Sequence, residues 1–223
     1  MKFLLEHGYI NDKIEQQAIE RDSLYIRNGD NMEIRIADAG DAERIREIYA
    51  PYVTDTAITF EYDVPDVQEF ERRIDNTLKR YPYLVALEQG TIIGYAYAGP
   101  FRPRAAYQHS VEASVYVEHS HAGKGVGRLL YGELEKILQR QNVTVVYACI
   151  TATEREQDEH LTNGSILFHE HVGYTLVGRF FHCGYKFDKW YSMVWMEKRI
   201  GEQPEHPEEF LPFPDLVSKE QDV

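Results

Sequence analysis

The chain has 223 residues, 43% hydrophobic and 27% charged, enough to bury the core of one domain with decorated ends. A net charge of −13 argues against a nucleic-acid partner, and two cysteines are too few for a disulfide framework. No apolar run approaches the roughly 18 residues of a membrane span, and the N-terminal Met-Lys-Phe-Leu-Leu is too short an apolar core for a signal peptide, so the expected home is a reducing, cytoplasmic compartment.

Residues 1–32 read as an N-terminal extension, with a polar helix over Ile10–Arg21 and a turn at Asn28-Gly29-Asp30-Asn31. Glu33–Ala37 alternates like a first strand. Asp38–Tyr52 carries acids early and Ile45, Ile48 and Tyr49 at helical spacing. Asp55–Tyr62 is a threonine- and aromatic-rich loop. Pro65-Asp66 opens a second helix that runs to about Arg80, with Val67, Phe70, Ile74 and Leu78 on one face. Tyr83–Glu88 and Thr91–Tyr97 flank Gln89-Gly90 as an antiparallel hairpin.

Val111–Val117 is the next strand, and it meets glycines at 123, 125 and 127 that run into an amphipathic stretch, Arg128–Gln141. A strand feeding a glycine-spaced loop that opens a helix makes an anion site. The glycines let backbone approach the ligand, and the unpaired N–H groups of the first helical turn point at it. Val143–Ile150 is apolar throughout and reads as a buried strand. Asn163 is a candidate N-cap for a helix over Ser165–Val172, closed by Gly173. Tyr174–Phe181 and Tyr191–Met196 are the final strands, joined by a loop. Residues 201–223 form an acidic, proline-rich tail with seven acids against Lys219, read as loosely docked or disordered. The expected class is α+β, with a central mixed, twisted β-sheet flanked by helices. A doubly wound dinucleotide fold would place its glycines after the first strand, and here they follow the fourth.

Several segments together resemble the GCN5-related N-acetyltransferase (GNAT) superfamily, in its phosphinothricin N-acetyltransferase-like branch. They are Arg80–Ala86, Tyr97–Pro100, Glu112–Val117, Gly123–Arg128, Ser165–Tyr174 and Gly184–Trp190. The resemblance implies a GNAT domain over residues 33–200 and acetyl-CoA as co-substrate. It implies direct acetyl transfer in a ternary complex to the amine of a small amino-acid-like acceptor, of the phosphinothricin or methionine sulfoximine type. One departure is Ala122, where the family usually has Gln or Arg.

Residue by residue, the resemblance assigns the backbone of Val115, Tyr116 and Val117 to pairing with the pantetheine arm. It assigns the N–H groups of Gly123, Lys124, Gly125, Val126, Gly127 and Arg128 to the pyrophosphate, with Asn163 and Ser165 also on the cofactor side. Glu112 is the expected general base, since a half-buried carboxylate beside aromatic residues has a raised pKa. His169 is expected near the thioester sulfur, as proton donor or as a packing histidine. Phe60, Tyr81, Tyr97, Arg104 and Tyr107 are expected around the acceptor, with Arg104 suited to a carboxylate. His119 and His121 lack a ligand set for a metal, so no metal is expected. Cys149 and Cys183 read as core residues. The branch and the apolar final strands point to a homodimer. A non-catalytic acetyl-CoA-binding module and an acetyltransferase acting on peptide or protein amines remain as alternatives.

Overall fold

The computed structural model of the chain describes residues 25–29 and 32–221. The expected helix at Ile10–Arg21 lies outside them. The described part is built on an eight-stranded sheet in the order β1-β2-β3-β4-β5-β6-β8-β7. Its strands are β1 (Tyr25–Gly29), β2 (Met32–Ile36), β3 (Tyr83–Glu88), β4 (Thr91–Pro100), β5 (Ser110–Val117), β6 (Val145–Ala152), β7 (Thr175–Lys186) and β8 (Lys189–Arg199). Neighbours pair antiparallel except β5 and β6, which run parallel, so the sheet is mixed, as the order of elements implied.

Helices cover both faces. On one face, α1 (Ala42–Thr54) and α2 (Val67–Leu78) bury Ile45, Ile48, Phe70 and Ile74 against Tyr83, Val85 and Tyr95. The Asp66 side chain starts α2 by accepting from Glu69 N–H at 2.7 Å, which satisfies one of the free donors of the first turn. On the other face, α3 (Val126–Arg140) and α4 (Gly164–His171) cover the sheet. There Leu130, Leu134 and Leu138 meet Ala96, Val111, Ala113 and Val146. Deep burial of each such leucine contributes about 1.5–3 kcal/mol of transfer free energy.

Three features differ from the sequence-based expectation. First, the N-terminal segment is not separate from the sheet, because β1 pairs with β2 through Asn28↔Glu33 and Gly29↔Met32. Second, β7 and β8 are longer than the apolar runs that announced them. They meet in a tight turn whose Phe187 and Asp188 have φ of 50° and 56°, the left-handed pair of a twisted hairpin. Third, the proline-rich tail docks. Phe210, Phe213 and Leu216 are buried in the α3-side core, and α5 (Phe213–Gln221) follows. Gln141, fully buried, fastens this segment by donating to the carbonyls of Arg80 at 2.9 Å and Leu211 at 2.8 Å. Acidic residues and prolines masked the three apolar anchors in the sequence.

The feature that shapes the site is a divergence. β5 and β6 pair only from Ser110↔Val145 to Glu112↔Tyr147. Beyond Glu112, β5 stays paired to β4 as far as Val117↔Gly94, while its β6-facing edge is open.

Candidate active site

The divergence opens a cleft through the sheet. Its walls are residues 113–116 of β5 and residues 148–151 of β6, with Tyr131 of α3, Ser165 and His169 of α4 on one side and Ile58 on the other. Backbone donors and acceptors on an unpaired strand edge can pair with an extended ligand, as an added strand would. Beside the cleft, the glycine loop leads into α3, which begins at Val126, two residues before the expected start. Gly123 and Gly125 have φ of 77° and 86°, a left-handed conformation that glycine adopts without strain. A Cβ at Gly127 would lie 3.2 Å from the Phe168 ring, so the loop also needs glycine for close packing on α4. The first intrahelical bond is Leu129 N–H to Gly125 C=O, which leaves the N–H groups of Val126, Gly127 and Arg128 free to meet an anion. The Lys124 N–H is used within the turn, donating to His121 C=O at 3.3 Å.

Alternation along β5 sends Val111, Ala113 and Val115 toward α3 and Glu112, Ser114 and Tyr116 to the opposite face. Glu112 is half-buried, and burial raises its carboxyl above the ordinary range, with the Arg102 charge opposing the shift. Next to it stands an aromatic wall. Phe101 stacks on Tyr147 at 4.1 Å, and Trp195 meets Phe101 edge-on at 5.4 Å. The Arg102 guanidinium lies 4.4 Å from the Phe101 ring centre and 5.1 Å from that of Trp195. Arg102, Tyr147 and Trp195 were missed in the sequence. Tyr147 follows only from the register that sets it opposite Glu112, and Arg102 sits two residues from the arginine that was chosen.

The other expected residues divide. Tyr97 stands on the Glu112 face, stacked on Tyr83 at 5.0 Å, and burial raises its phenol. Arg104 and Tyr107 are exposed on the segment between β4 and β5, with Tyr107 edge-on to Phe101 at 5.8 Å. Phe60 is held against the β7–β8 hairpin, where a Cβ at Gly184 would overlap its ring. Tyr81 does not join them. It is 4% exposed, belongs to the α3-side core and packs on Phe210 at 5.4 Å. It precedes β3 by two residues, and its ring turns to the α3 side of the sheet, away from Glu112.

His169 is buried, with Nδ1 donating to Ser165 C=O at 2.7 Å. A carbonyl only accepts, so Nδ1 carries the proton and Nε2 takes the Tyr131 hydroxyl at 3.1 Å. Burial lowers its pKa, so the ring is neutral near pH 7 with both nitrogens engaged. Asn163 precedes α4 but does not cap it. Its amide oxygen accepts from Thr153 N–H at 3.2 Å and its amide nitrogen donates to Thr153 C=O at 3.1 Å, clasping the end of β6. Cys149 and Cys183 are free and exposed, contrary to the core placement expected of them. Cys149 lies on the Glu112 side of the cleft, where desolvation first and the Glu112 charge second push its thiol up to about 12. A thiol held that high is a poor nucleophile.

Comparison with known proteins agrees with this architecture. Residues 34–195 match the model of the acetyltransferase (GNAT) domain. A phosphinothricin N-acetyltransferase of Streptomyces viridochromogenes is 33% identical over 185 residues, 83% of this chain and 96% of that protein. An L-methionine sulfoximine/L-methionine sulfone acetyltransferase of Salmonella typhimurium is 33% identical over 175 residues, 77% of this chain and 96% of its own length. Among solved structures, a GNAT-superfamily phosphinothricin acetyltransferase from Sinorhizobium meliloti in complex with acetyl-CoA superposes with a TM-score of 0.73. It is 32% identical, and the match covers 83% of this chain and 97% of that one.

Proposed function

This chain belongs to the GNAT acetyltransferase family and is an N-acetyltransferase, and from that premise we propose that it moves the acetyl group of acetyl-CoA to the α-amine of a small amino-acid-like acceptor of the phosphinothricin or methionine sulfoximine type. The observation that carries this reading is the cleft between β5 and β6. It is walled by Tyr131, Ser165 and His169 from the α3 side and by Ile58, Ser114 and Tyr116 from the face that carries Glu112.

Acetyl-CoA fits the residues present. The open edge of Val115 and Tyr116 pairs with the pantetheine amides, while Val117, whose N–H and C=O meet the Tyr52 hydroxyl, closes that edge, and the free N–H groups of Val126, Gly127 and Arg128 take the pyrophosphate. Gly123, Gly125 and Lys124 shape the loop. Ser165 borders the cleft, and Asn163 acts on the cofactor side by fixing the loop before α4. The acceptor lies on the other face, among Phe60, Tyr97, Arg104 and Tyr107, with Arg102 and the Phe101–Tyr147–Trp195 wall completing the surroundings.

In the reaction, Glu112 takes a proton from the acceptor ammonium. The freed amine attacks the thioester carbonyl, a C–N bond forms, the C–S bond breaks and its electron pair leaves on sulfur. The second amine proton then balances the thiolate as the coenzyme A thiol. A carboxylate whose pKa is raised toward the working pH is a better base for this step than an ordinary one. His169 is a positioning group in this scheme, holding Tyr131 and Ser165 at the cleft floor rather than donating the proton. The chain acts as a homodimer whose contact is the exposed edge strand β7, where Phe180 and Phe181 stand free, and two free exposed cysteines suit a reducing cytosol.

The test is thiol release from acetyl-CoA against free amino acids, phosphinothricin, methionine sulfoximine, polyamines and short peptides. Turnover is expected with the free amino-acid-like acceptors. Turnover with peptides alone would move the reading to protein amines. Tight acetyl-CoA binding with no turnover on any amine would make the chain a non-catalytic module.

A further inference from the structure

Lys186 is the most buried lysine of the described residues, at 3% exposure, and the reaction scheme above does not use it. It sits at the end of β7, just before the hairpin turn. Its Nζ donates to Thr59 C=O at 2.8 Å and Thr56 C=O at 3.0 Å. The Phe187 ring centre is 5.2 Å away, and the Glu61 charge is near enough to favour the ammonium, although burial acts more strongly and lowers its pKa. A buried ammonium must be met by oriented acceptors, because it has given up its water. Here the acceptors are two carbonyls of a single loop, residues 56–62, three positions apart.

The same hairpin holds that loop at further points. Gly184, two residues before Lys186, lies flat under the Phe60 ring, and any Cβ there would overlap it. The Tyr62 hydroxyl donates to Tyr185 C=O, and Thr151 Oγ1, on the cleft side of β6, donates to Ile58 C=O at 3.3 Å. The loop has no strand or helix hydrogen bonds of its own over residues 56–62. Two local turns shape it, Ile58 N–H to Thr56 Oγ1 at 3.2 Å and Glu61 N–H to Thr59 Oγ1 at 3.3 Å, and Ala57 N–H donates to His160 C=O at 3.0 Å; the ammonium adds a charged contact that ties Thr56 and Thr59 together, with Phe60 directed by the space above Gly184.

We propose that Lys186 is a positioning residue for acceptor binding: its ammonium gathers the carbonyls of Thr56 and Thr59 and so fixes Phe60 at the edge of the acceptor site, with Gly184 as the platform. This rests on the reading above that Phe60 borders the acceptor. Ile58 of the same loop borders the cleft on its Glu112 side, whereas the glycine loop stands at the start of α3, and the two hydrogen bonds of the ammonium go to the 56–62 loop alone.

The experiment compares wild type with Lys186→Met, which keeps the length and removes the charge, by two readouts. Hydrogen exchange of the 56–62 segment is expected to quicken at least tenfold, while residues 123–128 keep their wild-type rate. In turnover, the acceptor KM is expected to rise at least tenfold, while the acetyl-CoA Kd by calorimetry stays within twofold. Gly184→Ala, which leaves the ammonium in place but displaces Phe60, is expected to raise the acceptor KM in the same way, and it carries the test if Lys186→Met does not fold. Unchanged exchange in 56–62, or acceptor KM and acetyl-CoA Kd worsening together, would overturn the proposal. If the exchange changes as expected and no amine is acetylated by wild type, the clamp stands and the acetyl-transfer reading is what fails.

Discussion

Under the proposed function the proton transfer falls to one carboxyl, that of Glu112. Glu112→Gln keeps the shape and removes the base, so kcat is expected to fall by about 10²–10⁴-fold with acetyl-CoA affinity unchanged, read by steady-state rates and calorimetry. The raised carboxyl sets the sign of the pH dependence. The base works only when ionised, so kcat/KM is present above the raised value, is lost as pH falls through it, and has its acid limb above the ordinary glutamate value of about 4.3. Between the ordinary and the raised values the folded chain binds more protons than the unfolded one. Stability through this group therefore falls as pH rises across that window, and Glu112→Gln is expected to flatten that part of the melting-temperature profile. In the sequence Glu112 is singled out by its place before Val-Tyr-Val and the glycine loop, and the structure puts a half-buried carboxyl there. The sequence could not show Arg102, because linear distance says nothing about which of two nearby arginines lies over Phe101 and Trp195. Tyr81 illustrates the opposite error, a residue at a plausible position in the chain whose side chain points into the other core.

At the scale of elements, strand and helix positions were largely legible because periodicity reports burial directly. The β3–β4 hairpin, β5 and the amphipathic α3 all follow from alternation or helical spacing flanked by glycine. What stayed hidden depended on tertiary pairing. Asn163 looked like a cap, and local chemistry alone favours that reading, yet Thr153 competes for its amide and wins with two hydrogen bonds. Asn163→Ala leaves the buried Thr153 N–H and C=O unpartnered, with an expected loss of about 1–3 kcal/mol in urea unfolding. A helix cap alone would cost about 1 kcal/mol and would not alter hydrogen exchange at Thr153.

At the scale of the molecule, the segments that looked peripheral prove to be attached. Ending the chain after Glu209 would expose the surfaces now under Phe210, Phe213 and Leu216 and deprive Gln141 of one acceptor. At about 1.5 kcal/mol or more for each of the three buried side chains, the truncated protein should lose at least about 4.5 kcal/mol, seen as a lower urea midpoint. The exposed edge strand β7 makes a separate claim. Phe180 and Phe181 are 53% and 67% exposed, and replacing both with lysine should convert the proposed dimer to a monomer in light scattering while thermal stability of the subunit holds. A wild type that already scatters as a single chain would remove the dimer.

The parting of β5 and β6 also has a kinetic consequence. The slot takes lining from both faces of the sheet, Tyr131, Ser165 and His169 on one and Ile58, Ser114 and Tyr116 on the other. Under the proposed function donor and acceptor come from these opposite faces, so neither has to leave before the other arrives. Spent coenzyme A should then compete with acetyl-CoA for its own entrance and leave the acceptor's free, whereas the acetylated product should block only the amine.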